Sequence, residues 1–140
     1  MANMTFPTNA YNTELIETFR KNNGTMPNGS PLLLLSTKGA RSGQLRVNPL
    51  VYTRDGDRYV IIASKGGFPN NPDWYHNLVA NPEVTVEVGQ ERFPARAMVT
   101  EGDERDRLFN AQAALMPNFA DYQTKTTRKI PVIVLEPISS

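Results

Sequence analysis

The chain has 140 residues, a formal net charge of +1 at neutral pH and a sequence pI near 8.0. This length predicts one domain that buries roughly two thirds of its unfolded surface, and the balanced charge disfavours nucleic acid as a partner. With no cysteine and a single histidine, the chain has no disulfide or thiolate nucleophile and lacks the usual ligands of a zinc site, so we expect no metal.

Residues 1–12 are polar and lack the apolar core of a signal peptide. We expect them to be loosely ordered and residues 13–140 to form one domain. No segment approaches membrane-spanning length. We therefore predict a cytoplasmic protein and leave open a peripheral contact with the inner membrane face. Thr13 is predicted to cap a short helix that runs through Lys21.

The first half of the domain shows strand patterns. Residues 32–35 are a continuous apolar run, which predicts a strand buried on both faces. Residues 47–53 and 58–63 follow as two further strands, and Asp55-Gly56 between them is a strong hairpin signal.

Helix signals follow. Asn71 is predicted to cap a helix that has Pro72 at its first position and ends at Asn81-Pro82. Residues 84–88 and 93–99 alternate between apolar and polar side chains, which predicts two strands joined by the turn Gly89-Gln90.

The last third predicts one more helix and one more strand. Thr100 and Asp103 resemble a capping box, and the helix that follows carries four core candidates before Met116-Pro117 ends it. These candidates are Leu108, Phe109, Gln112 and Leu115. Residues 131–135 form the final strand. The pattern indicates an α+β fold, an antiparallel barrel or sheet of about six mostly hairpin-linked strands with flanking helices.

Short basic, glycine-containing turns lie at the predicted strand ends. In the turn of residues 38–46, Gly39 and Gly43 allow backbone N–H groups to converge on an anion, and Arg41 and Arg46 can grip a phosphate. Lys65 lies in a second such turn. A plainer interpretation is a solvated hairpin with scattered cations.

The single tryptophan suggests a flat ligand. Trp74 follows a predicted helix start, where it could contact a planar ring, or it could pack in the core beside Leu78. Met116, Phe119 and Tyr122 could line an apolar pocket, and core packing at helical spacing is an equal alternative.

The sequence lacks several enzyme signatures. It has no Gly-x-Ser-x-Gly elbow beside its one histidine, no Walker A motif and no Gly-x-Gly-x-x-Gly after a strand. Demanding chemistry would therefore have to come from a bound cofactor.

Four ordered motifs between Pro31 and Pro137 are specific enough to suggest a family. They are Leu-Leu-Leu-Leu-x-Thr-x-Gly-x-Arg-Ser-Gly-Gln-x-Arg-Val-Asn-Pro-Leu, Ala-Ser-Lys-Gly-Gly, Asn-Pro-x-Trp-Tyr-x-Asn-Leu-x-Ala-Asn-Pro and Tyr-Gln-x-x-Thr-x-Arg-x-Ile-Pro-Val. With these four motifs in this order, the chain resembles the deazaflavin-dependent nitroreductase family of actinobacteria. The resemblance implies a split β-barrel that binds coenzyme F420 and passes its hydride to an organic acceptor.

The resemblance also implies where the coenzyme lies. The phosphate and oligoglutamate tail would be held by Ala40, Arg41, Ser42, Gly43, Gln44, Leu45 and Arg46. The deazaflavin ring would be bordered by Ile62, Ala63, Ser64, Lys65, Asp73, Trp74, Tyr75, His76 and Asn77, with Asn48 and Pro49 as the floor of the site.

Two departures from the family pattern affect the site. Ala40 replaces one of two adjacent cations, which should weaken the hold on the tail. At the acceptor pocket, family tyrosines are replaced by Val51, Met116 and Phe119, which leaves Tyr122 as the one phenol and the candidate catalytic residue. Coenzyme binding is therefore a safer expectation than activity on bicyclic nitroimidazoles.

The resulting hypothesis is an F420H2-dependent reductase whose acceptor is a small molecule: a quinone, a nitroaromatic compound or an enone. The alternatives are a non-catalytic F420 carrier and a flavin mononucleotide oxidase on the same barrel. The sequence leaves the choice of acceptor and the oligomeric state open.

Overall fold

The computed structural model describes residues 10–27, 29, 31–67 and 70–138. Seven strands in this part of the chain form one antiparallel sheet. They are β1 (Leu32–Lys38), β2 (Leu45–Val51), β3 (Thr53–Asp55), β4 (Arg58–Ile62), β5 (Glu83–Val88), β6 (Glu91–Val99) and β7 (Val132–Pro137). The helices are α1 (Ala10–Lys21), α2 (Asp73–Ala80), α3 (Gly102–Leu115) and α4 (Asn118–Thr124). The 3₁₀ turn Lys65–Gly67 is called the Lys65 turn below.

The sheet curls back on itself. Its strand order is β2-β1-β5-β6-β7-β4-β3, so β2 and β3 lie at opposite edges. Only Tyr52 separates these two edge strands along the chain. Such a connection brings the two edges together, as in a barrel. The α+β split-barrel prediction is confirmed, with seven strands in place of about six.

Two apolar clusters, one on each face of the sheet, form the core. On β4, Tyr59 and Ile61 belong to one cluster, and Val60 and Ile62 belong to the other, because successive side chains of a strand point to opposite faces. The first cluster includes Trp74 and Leu78 of α2. The second is covered by α3 and α4. This double burial explains why the central strands read as continuous apolar runs in the sequence.

Some strand boundaries and helix starts differ from the prediction. The predicted strand of residues 47–53 is divided into β2 and β3 at Tyr52, where the chain passes from one sheet edge to the other. Helix α1 begins at Ala10, so Thr13 lies inside the helix and is not its cap. Of the segment predicted to be loosely ordered, residues 10–12 are helical, and residues 1–9 lie outside the described residues.

The predicted side-chain caps at Asn71 and Thr100 are also wrong, because tertiary partners take their capping groups. Thr100 donates its hydroxyl hydrogen bond to the Val132 carbonyl, at 2.8 Å, and α3 begins without a side-chain cap. Asn71 accepts a hydrogen bond from Arg128, and the N-cap of α2 is Pro72. On α3, Leu115 is 72% exposed rather than part of the core. The sequence analysis also did not predict α4.

Asp55 at the β3–β4 turn links the hairpin to α3. Its carboxylate accepts hydrogen bonds from Arg107 at 3.2 and 3.3 Å, and it also pairs with Arg58. These two guanidinium groups lower the pKa of Asp55 from 3.8 to about 2, and the bonds from Arg107 contribute most.

The lowered pKa predicts a pH-dependent stability. Because the folded state favours the charged form, the stabilisation is complete above pH 3.8 and is lost as the pH falls towards 2. Asp55→Asn should lower the free energy of unfolding at pH 7 by about 1 kcal/mol, since the pairs are partly exposed. Urea unfolding between pH 7 and pH 2 measures this difference, which should shrink below pH 4. The control is Asp57→Asn, which removes a carboxylate from the same turn; an equal effect there would contradict the role of the two arginines.

None of the helices in the described ranges is long and apolar enough to cross a membrane.

Candidate functional site

A large cleft of about 1510 Å³ opens between the β1–β2 hairpin, α2, the Lys65 turn and α4. Its volume exceeds that of a typical small-ligand pocket. The lining residues are Pro31, Gly39, Ala40, Arg41, Ser42, Arg46, Asn48, Pro49, Leu50, Val51, Ile62, Ser64, Lys65, Pro72, Asp73, Trp74, His76, Asn77, Met116, Asn118, Phe119 and Tyr122. The cleft is therefore lined by a basic hairpin tip and, elsewhere, by the apolar side chains of Val51, Met116 and Phe119.

The basic end is the tip of the β1–β2 hairpin. The N–H groups of Gly39 and Gly43 are bonded within the loop, to the carbonyls of Gln44 and Gly39 at 2.7 and 3.0 Å. These two N–H groups therefore brace the loop itself, and the anion cradle stays a prediction. The loop forms a braced turn, and the side chains of Arg41 and Arg46 line the cleft beside it.

Polar side chains hold this loop in place. Asn77 is only 8% exposed; it accepts a hydrogen bond from the Ala40 N–H at 3.0 Å and donates one to Thr37 at 3.2 Å. Gln44 accepts a bond from the Arg46 guanidinium at 3.1 Å. Asn77 thus fixes the loop to α2, and Gln44 orients one of the two cations.

The Lys65 turn has an unusual backbone. Lys65 has φ +46°, a left-handed conformation that costs about 1 kcal/mol or more for a residue with a side chain. The ammonium group lies 3.5 Å from Asn70 Oδ1 and lines the cleft. Strained residues of this kind cluster at functional sites, because the surrounding structure must hold them.

Arg128 provides that support. Its guanidinium donates hydrogen bonds to the carbonyls of Ala63 and Ser64, at 3.2 and 2.8 Å, and to Asn71 Oδ1 at 2.7 Å. Burial lowers the pKa of Arg128 below its ordinary value. One side chain therefore ties the end of β4 to the segment that precedes α2, and these are the two walls of the cleft beside Lys65.

Trp74 lies in the core and also in the wall of the cleft. It is 6% exposed and packs in the first apolar cluster with Leu78, and it also lines the cleft. His76 lines the cleft as well, with its ring 5.6 Å from the Tyr75 ring.

The opposite end of the cleft is formed mainly by α4 and by Met116, which precedes this helix. Val51, Met116 and Phe119 supply apolar surface there, and Tyr122 supplies a phenol. The Phe119 and Tyr122 rings meet edge to face, with centroids 5.5 Å apart. Asn118 donates a hydrogen bond to the Tyr122 hydroxyl at 3.1 Å.

Most of the site residues predicted from the sequence line this one cleft. The predicted residues that are not among its lining are Gly43, Gln44, Leu45, Ala63 and Tyr75. Leu45 is 63% exposed, whereas Ala63 is fully buried in the core.

The sequence analysis missed Arg128 and Asn118. Arg128 lies in the last quoted motif, so its place there was an available signal. In the described part of the chain, no three histidine, aspartate or glutamate side chains are grouped so that they could hold a metal.

The family model for F420H(2)-dependent quinone reductase matches residues 11–137. An F420H(2)-dependent quinone reductase from Mycobacterium tuberculosis is 44% identical over 124 residues, which cover 84% of this chain and 83% of the relative. The solved structure of an F420-H2 dependent reductase, FDR-A, aligns with a TM-score of 0.70 and 42% identity over 76% of this chain and 94% of that one. A structure described as a domain-swapped dimer aligns with a TM-score of 0.73 and 39% identity, covering 89% of this chain and 93% of that one.

Proposed function

The chain belongs to the F420H(2)-dependent quinone reductase family and is an F420-dependent oxidoreductase. We propose that it reduces quinones in the cleft described above. The observation that carries the proposal is the division of this cleft into a cationic end and a mainly apolar end with one phenol. A polyanionic coenzyme tail requires the first end, and a flat, weakly polar acceptor requires the second.

The residues present suit this coenzyme. Arg41 and Arg46 hold the phosphate and carboxylate groups of the tail, because guanidinium groups bind both kinds of anion in a fork geometry. The end of β4 with Lys65 and the first turn of α2 with Trp74, which both line the cleft, would border the deazaflavin ring. When bound, the reduced coenzyme supplies a hydride and a proton, which together convert a quinone into its hydroquinone.

The protein contributes orientation, exclusion of water and a hydrogen-bond donor. Val51, Met116 and Phe119 place the acceptor against the ring in a dry pocket, where polar interactions are stronger than in water. Tyr122 donates a hydrogen bond to the acceptor oxygen on which negative charge develops.

We propose a cytoplasmic location for this reaction. We also propose that the chain forms a dimer, as the structure described as a domain-swapped dimer does.

The direct test is turnover. The purified protein should oxidise reduced F420 when menadione is added as the quinone, and oxidation should depend on both. Binding without turnover on menadione or on a wider panel of quinones and nitroaromatic compounds would favour the carrier alternative. A protein that binds flavin mononucleotide more tightly than F420 would favour the oxidase.

Arg46→Ala should raise the Kd for F420 roughly tenfold or more, because it removes a charge-assisted contact worth about 1.4 kcal/mol or more. Quenching of Trp74 fluorescence measures the Kd, since Trp74 is the only tryptophan and lines the cleft. Lys65→Ala should also weaken binding.

The matched control is Arg96→Ala on β6, which removes an exposed arginine outside the cleft. An unchanged Kd in both the Arg46 and the Lys65 variants would show that the coenzyme tail lies elsewhere.

A further inference from the structure

We infer that Asn118 is a positioning residue that keeps the Tyr122 hydroxyl proton available to the acceptor; this inference rests on the proposed function of the cleft. The two side chains lie four residues apart on α4 and both line the acceptor end of the cleft. The Asn118 amide donates to the phenol oxygen at 3.1 Å.

The direction of this hydrogen bond determines where the phenol proton points. A tyrosine hydroxyl has one proton to donate and prefers to keep it in the plane of the ring, in one of two positions. The Asn118 N–H occupies the side of the oxygen that faces it, so the proton must point away from Asn118. The hydroxyl is then a donor to whatever ligand lies beside it in the cleft.

The ring and backbone of Tyr122 are also held. Phe119 meets the ring at 82°, and the Lys125 ammonium lies 5.9 Å from the ring centroid. A Cβ placed on Gly67 would lie 2.8 Å from the Tyr122 carbonyl oxygen, which shows that the Lys65 turn packs directly on this residue. With ring and backbone fixed, rotation of the hydroxyl is the freedom that remains, and Asn118 removes it.

This arrangement matters for a quinone acceptor. When a hydride reaches the quinone, negative charge develops on a carbonyl oxygen, and a donor already aimed at that oxygen stabilises the transition state without reorganisation. A phenol whose proton is turned towards a neighbouring acceptor cannot do this.

Asn118→Asp is the most informative variant, because it reverses the hydrogen bond. A carboxylate only accepts, so it draws the phenol proton away from the cleft. The change should not impair folding, since an acidic residue at the first position of a helix is favourable. Asn118→Leu removes the hydrogen bond without providing an acceptor, and Tyr122→Phe removes the donor. Asn110→Asp, on an exposed position of α3 outside the cleft, introduces the same charge as a control.

With menadione and reduced F420 we expect Tyr122→Phe to lower kcat by about a hundredfold, the effect of losing one donor to a developing oxyanion. Asn118→Asp should come within about threefold of that loss, and Asn118→Leu should lower kcat by about fivefold, because its phenol can still donate for part of the time. The Kd for F420 should change less than about twofold in all three. Adding Asn118→Asp to Tyr122→Phe should cause no further loss.

A second readout is independent of activity. In Asn118→Asp the new carboxylate accepts the phenol proton and repels the phenolate, which raises the pKa of Tyr122, whereas Asn118→Leu only removes a donor and raises this pKa less. Ultraviolet difference titration at alkaline pH detects this change, with the corresponding Tyr122→Phe protein subtracted. The inference is supported if kcat falls most in Tyr122→Phe, nearly as much in Asn118→Asp and least in Asn118→Leu, and if the pKa of Tyr122 rises most in Asn118→Asp.

An active wild-type enzyme together with an Asn118→Asp variant as active as Asn110→Asp overturns the inference and leaves the proposed function intact. The same holds if the pKa of Tyr122 is unchanged in Asn118→Asp. A wild-type protein that neither binds F420 nor reduces menadione overturns the proposed function and the inference with it.

Discussion

Arg128→Leu should lower the free energy of unfolding by about 3 kcal/mol and weaken F420 binding more than tenfold. The guanidinium donates hydrogen bonds to the carbonyls of Ala63 and Ser64 and to Asn71. Bonds to a charged group contribute about 1.5–3 kcal/mol each, and the desolvation of the guanidinium on folding offsets part of that sum. The loss of these bonds also leaves partly buried acceptors without a partner. Because these bonds join the two walls beside Lys65, the ring-binding part of the cleft should lose its shape before the rest of the barrel does.

Urea unfolding measures the first effect, and Trp74 fluorescence titration well below the unfolding transition measures the second. Arg128→Lys keeps the charge, but a lysine cannot reproduce the planar fork, so it should recover only part of both losses. Arg96→Leu is the control for removal of an exposed arginine. A variant that loses stability and yet binds F420 normally would limit Arg128 to a structural role.

The Arg128 network illustrates what the sequence could not predict. Its partners lie 57 to 65 residues away along the chain, whereas periodicity and capping rules concern neighbours. The same limit explains the wrong caps: Asn71 and Thr100 have suitable side chains, but Arg128 and Val132 compete for them through tertiary contacts. Local patterns predict where a polar group could act, and the fold decides which partner it takes.

Features determined by short-range geometry were predicted well. The Asp55-Gly56 hairpin is present, with Gly56 at φ +63°, and α2 ends at Asn81 as expected. Helix α4 was missed because only Phe119 and Tyr122 mark its inner face, and seven residues are too few for a clear apolar stripe. The order of the motifs was enough to predict most residues of the candidate site. The hydrogen bonds by which Asn77, Gln44 and Arg128 hold the site in place could be seen only in the folded structure.

Gly67→Ala should reduce quinone turnover by at least tenfold while changing the Kd for F420 only slightly. Gly67 has φ +84°, and a Cβ there would lie 2.8 Å from the Tyr122 carbonyl oxygen and 2.9 Å from Lys125 Cβ. Real Cβ atoms essentially never approach backbone so closely, so α4 and the Lys65 turn must move apart. A shift of about 1 Å at a reacting group can cost about a hundredfold in rate, whereas Arg41 and Arg46 lie on another hairpin and keep their positions.

The variant combines a steric effect with a conformational one, and the chain contains a glycine that separates them. Gly56 also has a positive φ, +63°, but nothing lies within 4 Å of a Cβ placed there. Gly56→Ala should therefore cost about 1–2 kcal/mol in unfolding free energy for the left-handed backbone alone and leave kcat unchanged. Gly67→Ala should show this cost plus the loss of kcat with menadione. Equal kcat values in the two alanine variants would mean that the contact between the Lys65 turn and α4 does not position the acceptor, because the extra contact at Gly67 is the main physical difference between them.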